Sequence, residues 1–230
     1  MRRPLIAAIL IGLYGAAPGA HAQTPAEASL AAHPPAVEAT TQLPRGVSPT
    51  HYAIEVAPHA ERMTFDGKAR IDLEVRQPTD RIVLQAIDMS FANNVLAMPD
   101  GKTRTAKVTV DADAQTATFA FDAPLAPGRY TLSTDYTGRI GTQANGLFAL
   151  DYETEAGRKR ALYTQFENSD ARRFMPCWDE PNFKATFDLT VIAPAGQMVV
   201  GNMPATETKD LGNGLQRVVF QTTPKMSTYL

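Results

Sequence analysis

Beyond about residue 43, apolar and polar side chains alternate with a period of two. Ala69, Ile71, Leu73 and Val75 fall on one side of an extended chain, and Arg70, Asp72 and Glu74 fall on the other. That is the pattern of a strand with one face buried. It recurs at Tyr52, Ile54, Val56, at Ala117, Phe119, Phe121, and at Tyr130, Leu132. It recurs again where Phe187, Leu189, Val191 oppose Thr186, Asp188, Thr190. Turn signals stand between these runs at Asp66-Gly67, Asp100-Gly101, Pro127-Gly128 and Asn213-Gly214. No stretch of helical length carries an i, i+3, i+4 stripe, and no internal repeat is visible. The pattern predicts an all-β domain, a mostly antiparallel sandwich or saddle of sheets.

The first 42 residues read differently. Arg2 and Arg3 precede an apolar run from Leu5 to Leu13, and small residues follow to Ala20-His21-Ala22. This predicts a secretory signal peptide over 1–22 with an A-x-A cleavage site, and a twin-arginine route is the weaker reading. The run falls short of the roughly 20 apolar residues of a membrane span, so the mature protein is expected to be exported, periplasmic or secreted. Residues 23–42, rich in Ala, Pro, Thr and Glu, read as a flexible linker. One β-domain is expected over 43–230. The chain ends at Ser227-Thr228-Tyr229-Leu230 inside what reads as a strand, which suggests a longer parent.

Charge and cysteine content narrow the function classes. The 22 basic and 24 acidic residues include no basic cluster, and Arg2 and Arg3 leave with the leader, so a nucleic-acid partner is not expected. Cys177 is the only cysteine, which rules out an internal disulfide even in an oxidising compartment. Packing must stabilise the domain.

Chemistry concentrates in one stretch, Tyr163-Thr164-Gln165-Phe166-Glu167-Asn168-Ser169-Asp170-Ala171-Arg172-Arg173-Phe174-Met175-Pro176-Cys177-Trp178-Asp179-Glu180-Pro181. It breaks the alternation and brings carboxylates, amides, guanidiniums and aromatics together, as binding loops on β scaffolds do. Composition alone leaves two readings open: a ligand site, or an ordinary turn whose Asp and Arg residues pair with each other. The stretch resembles the T-Q-F-E-x-x-D-A-R-R-x-x-P-C-x-D-E-P signature of the M1 family of zinc aminopeptidases, and Phe183-Lys184-Ala185-Thr186-Phe187 continues it. Leu43-Pro44, Pro49-Thr50-His51-Tyr52, Phe65-Asp66-Gly67 and Met226-Ser227-Thr228-Tyr229-Leu230 resemble further family segments in the right order.

The resemblance implies a saddle of β-sheets laid against a thermolysin-like catalytic domain of the same polypeptide. By position it puts recognition of the substrate's free α-amine on Glu167, and the pocket for the first side chain beside Gln165. A carboxylate suits an ammonium, and an amide can donate or accept. Asn168, where many relatives have Pro, and Met175, where an aromatic is common, bear on substrate preference.

The family's zinc motif, H-E-x-x-H with a later Glu, does not occur in the chain, nor does its G-x-M-E-N segment. The four histidines, His21, His33, His51 and His59, are followed by Ala, Pro, Tyr and Ala. A catalytic zinc needs three protein ligands, so zinc is expected in the parent outside this chain, and the chain alone is expected to be inactive. Asp179-Glu180-Pro181 reads as a structural turn, Cys177 as a buried small hydrophobe, and Arg172 and Arg173 as loop supports acting through Asp170 or Asp179. The expected function is the substrate-anchoring domain of an exported zinc-dependent aminopeptidase, with peptide N-termini as its ligand. A non-catalytic interaction module is the alternative, and a stand-alone β-domain binding peptides or a partner is a third.

Overall fold

The computed structural model describes residues 43–230, so the expected leader and linker lie outside the described residues. The strands are β1 (Val47–His59), β2 (Thr64–Val75), β3 (Thr79–Gln85), β4 (Ser90–Ala97), β5 (Thr103–Thr105), β6 (Lys107–Asp111), β7 (Thr116–Leu125), β8 (Gly128–Arg139), β9 (Gly146–Thr154), β10 (Gly157–Gln165), β11 (Thr186–Pro194), β12 (Ala205–Gly212) and β13 (Leu215–Phe220). A 3₁₀ turn at Ala171–Arg173 is the one helical element among the described residues. The predicted all-β class holds.

Eight strands form one sheet in the order β12-β13-β11-β1-β2-β8-β4-β5, while β3-β7-β6 make a smaller sheet and β9 and β10 a hairpin of their own. Every pairing is antiparallel except that of β1 with β11, where Tyr52 faces Phe187 and Ile54 faces Leu189. The two rings at that register stack with centroids 4.9 Å apart. Alternation along β2 is realised as the sequence predicts: Phe65, Ala69, Ile71, Leu73 and Val75 are buried. Burial of each large side chain contributes about 1.5–3 kcal/mol. Phe91 on β4 meets Phe119 on β7 edge-on at 5.5 Å and joins the large sheet to the small one.

Two local expectations are corrected. Asp66-Gly67 is not a turn but lies inside β2. Gly67 faces Tyr136 across the β2–β8 ladder, and Phe65 faces Gly138. A Cβ at either glycine would stand 2.2 Å from the opposing ring, so each glycine makes room for the aromatic across from it. The two rings then meet at 86° and 6.2 Å. Met226–Leu230 is not a strand either: Met226 makes an isolated bridge with Ala185, and a turn follows. Hydroxyl contacts from Ser227 and Thr228 to the 179–181 segment replace a strand ladder there.

The Tyr136 hydroxyl is buried without a hydrogen-bond partner among the described residues. Burial pushes its pKa up, with a smaller contribution from Cys177. An unsatisfied buried hydroxyl is a cost rather than a contribution. Tyr136→Phe should therefore leave the melting temperature unchanged or raise it. A stability loss above about 1 kcal/mol in denaturant titration would show that the hydroxyl has a partner.

Candidate functional site

The singled-out stretch begins where the ladder of β9 and β10 ends, with Gln165 opposite Gly146. Phe166 turns inward and packs on Phe174, with ring centroids 5.3 Å apart. A compact turn follows, closed by Asp170 N–H donating to the Phe166 carbonyl at 2.9 Å, and the Glu167–Asn168 peptide within it is cis. The 3₁₀ turn is closed by Phe174 N–H and Met175 N–H, both donating to the Ala171 carbonyl. Cys177 then exchanges two backbone hydrogen bonds with Gln85 at the end of β3, 2.8 and 3.1 Å long.

Most polar groups of the stretch hold it in place. Asp179 is 4% exposed. Its Oδ2 accepts from Arg172 Nε at 3.0 Å and from the Arg172 backbone N–H at 3.3 Å. Its Oδ1 accepts from the Thr228 hydroxyl at 2.7 Å, and its own N–H donates to Gln85 Oε1 at 2.6 Å. The Arg172 guanidinium also reaches Gln115 Oε1 and the Asp179 carbonyl. Glu180 accepts from the Leu43 N–H at 2.7 Å and pairs with Arg45 at 2.9 Å, whose guanidinium lies over the Phe183 ring. Arg173 pairs with Asp170 at 2.8 Å. The expectation that Arg172 and Arg173 support the loop through Asp179 and Asp170 is met, and Asp179-Glu180-Pro181 is structural.

Cys177 is fully buried, and burial first, then the Asp179 charge, pushes its thiol pKa up. A thiol in that setting packs rather than reacts. Trp178 is buried beside it, with its backbone N–H donating to the Tyr52 hydroxyl at 3.2 Å.

Besides the exposed Tyr163 and Thr164 hydroxyls, the exceptions include Gln165 and Glu167. Both are exposed, one at the strand end and one in the turn, and neither side chain has a hydrogen-bond or ion-pair partner among the described residues. They stand two residues apart at the start of a segment that Gln85, Gln115 and Thr228 help to hold from outside it.

No group of three His, Cys, Asp or Glu side chains suited to a metal occurs among the described residues. His51 Nδ1 is engaged by Thr186 and its Nε2 by Asp188, and His59 Nε2 is engaged by Asp66. The two histidines lie eight residues apart on β1, about 26 Å at the strand rise. These residues do not fit a zinc ion.

Sequence reasoning did not anticipate Gln85 and Gln115 as supports of the loop, because nothing local marks a glutamine that will meet residue 179 or 172. It also passed over the outward face of the hairpin. Phe148, Leu150 and Tyr152 on β9 share that face with Tyr163 and Gln165 on β10, and Leu150, Tyr152 and Tyr163 are exposed. Their period-two spacing was the available signal.

Residues 48–230 match the Peptidase M1 N-terminal domain family. The chain is similar to aminopeptidase N of Acetobacter pasteurianus, 42% identical over 193 residues that make up 84% of this chain and 53% of that protein. Aminopeptidase 2 of Candida albicans is 35% identical over 189 residues, 82% of this chain and 20% of its own length. The puromycin-sensitive aminopeptidase of Caenorhabditis elegans is 28% identical over 201 residues, 86% and 21%. The chain thus spans about half the length of the first relative and about a fifth of the other two. Since the family match runs through the eight-stranded sheet, the hairpin and the whole clamped loop, this chain belongs to the M1 peptidases and carries their N-terminal domain.

Proposed function

We propose that this chain is the substrate-anchoring domain of an exported, zinc-dependent aminopeptidase, in which Glu167 binds the α-ammonium of a peptide and Gln165 borders the side chain of its first residue. One observation carries the reading. Of the four carboxylates between Gln165 and Pro181, Asp170, Asp179 and Glu180 are each committed to a cation or a backbone N–H. Glu167 alone of the four is exposed and has no partner among the described residues. A carboxylate held out from a rigid loop is preorganised to accept hydrogen bonds from an ammonium, and such charge-assisted bonds are roughly twice as strong as neutral ones. The names of the relatives, aminopeptidases throughout, support the same reading. Zinc would be held by residues outside this chain.

Recognition of an ammonium makes a direct prediction about substrates. Acylating the α-amine removes both its charge and two of its donors, which leaves Glu167 unpaired and desolvated in the complex. A full-length aminopeptidase carrying this domain should cleave leucine anilide and leave N-acetyl-leucine anilide intact. Comparable rates on both, or no cleavage of either by the metal-loaded protein, would overturn the proposal. The second result would favour a non-catalytic interaction module.

A further inference from the structure

The two edges of the eight-stranded sheet are unlike. One is β5, three residues long, and the other is β12, eight residues long and exposed at every position. β12 pairs with β13 alone, so the backbone N–H and C=O groups on its outer side have no partner strand among the described residues. A long open edge is a template for a further strand, and natural sheets blunt theirs by shortness, by proline or by charge. Ala205–Gly212 contains no proline, and its ladder is regular from Glu207 to Asp210, with irregularities only at the two ends.

The charges on this edge do not blunt it against a second copy of itself. Glu207 and Lys209 share one face of the strand, and Thr208 between them lies on the other. Neither charged side chain has an ion-pair or hydrogen-bond partner among the described residues. The residue opposite Lys209 on β13 is Arg217, which pairs with Glu55 at 3.6 Å, so the neighbouring strand offers Lys209 a like charge rather than a counter-charge. A two-fold axis perpendicular to the sheet joins two such edges antiparallel and leaves each face on its own side, so side chains that meet across it come from the same face. Three registers are then open to the regular run. Centred on Glu207, the axis sets two carboxylates against each other, and centred on Lys209 it sets two ammoniums. Centred on Thr208, it sets Glu207 of each copy against Lys209 of the other, twice, with the threonines face to face. Opposite charges and threonine pairs stabilise a ladder, and like charges directly opposite destabilise it.

The segment between β11 and β12 adds apolar surface on the Thr208 side. The Gln197 carbonyl accepts from Gln216 Nε2 at 2.7 Å and Gly201 lies against the Phe220 ring, so the segment runs over the face of β13 that carries Gln216, Val218 and Phe220. Val218 is the cross-strand partner of Thr208. Met198 and Val200 in this segment are 89% and 76% exposed. β13 lies one and a half strand spacings, about 7 Å, from an axis at the outer side of β12, so the segments of two copies flank that axis.

We propose that β12 pairs with β12 of a second copy of this chain about a two-fold axis at Thr208, which joins the two eight-stranded sheets into one. The contact is short, so it gives a concentration-dependent dimer rather than a permanent one. It is independent of the reading of Glu167.

The test follows a full-length aminopeptidase carrying this domain by sedimentation velocity over a range of concentration and salt. A dimer is expected whose dissociation constant rises with salt. Lys209→Glu and Glu207→Lys should each weaken it about tenfold or more, because each turns two attractions into two repulsions. The two substitutions combined recreate the complementary pattern and should restore the dimer, and an equimolar mixture of the two single variants should form a mixed dimer. Thr208→Cys should cross-link to a second copy on oxidation with diamide, since directly opposed residues stand about 4.5–5.5 Å apart at Cα, within disulfide reach. Thr206→Cys, which meets Asp210 in this register, should not. A parent that stays monomeric at its highest soluble concentration overturns the proposal. A dimer indifferent to both charge reversals also overturns it and puts the contact on another surface, and a combined variant that stays monomeric overturns the axis at Thr208.

Discussion

Glu167→Ala should lower kcat/KM on free-amine peptides by roughly 30- to 1,000-fold, about 2–4 kcal/mol of transition-state binding. The size follows from what is left behind. The ammonium of the bound peptide loses a charge-assisted partner in a place from which water has been displaced, and a desolvated, unpaired charge costs more than a lost neutral hydrogen bond. Stability should scarcely change, because the side chain is exposed and supports nothing among the described residues. Glu180→Ala is the informative contrast. It removes the acceptor for the Leu43 N–H and the partner of Arg45, so it should lower the melting temperature. Its effect on kcat/KM should stay small as long as the protein is folded. Full activity of Glu167→Ala together with an inactive but folded Glu180→Ala would reverse the assignment of the two carboxylates.

Asp179→Ala should cost about 3–5 kcal/mol of folding stability, the range for breaking a buried ion pair from one side. Its side chain is 1% exposed and that of Arg172 13% exposed, so the guanidinium cannot simply return to water. The Thr228 hydroxyl and the Arg172 backbone N–H lose their acceptor at the same time. Since domains are stable by only about 5–15 kcal/mol, the loss is a large share of the total. Asp179→Asn keeps an oxygen for Thr228 and should cost less. Urea unfolding with a common slope for parent and variants measures the difference. A loss below about 1 kcal/mol for Asp179→Ala would mean that the loop is held by its apolar contacts, chiefly Trp178 and Phe174, rather than by this network.

Both effects trace to one contrast. Asp179 is sunk into the loop and Glu167 is held out from it, although the sequence presents them as two acidic residues in one motif. Asp179 ties the segment to Arg172, Gln85 and Thr228, whereas Glu167 has no such partner among the described residues. The same stretch therefore carries one carboxylate committed to internal hydrogen bonds and one left exposed.

Strand content and the inner faces of the strands could be read directly, because the period-two alternation at positions such as Ile71, Leu73 and Val75 depends only on neighbours in the chain. Turn chemistry was readable where the signal was local: Asn213-Gly214 joins β12 to β13 with both residues at positive φ, 53° and 75°. The same logic misplaced Asp66-Gly67. Glycine is there for the Tyr136 ring on β8, and no local rule shows that contact. Met226–Leu230 looked like a strand for the same reason, since its turn is held by Asp179, 49 positions back, and by Pro181.

By itself, then, the sequence determined an all-β domain, its inward faces and the stretch that breaks their alternation. Each of these follows from short-range periodicity or from a dense run of residues that stays together however the chain folds. Only the tertiary structure decided that β1 pairs in parallel with β11, that Gln85, Gln115 and Thr228 hold the loop, and which carboxylate was left free. Those outcomes depend on which distant groups arrive within hydrogen-bond range. Four acidic side chains with the same intrinsic chemistry become a latch, two loop ties and a candidate amine anchor because burial and partners differ at each of them.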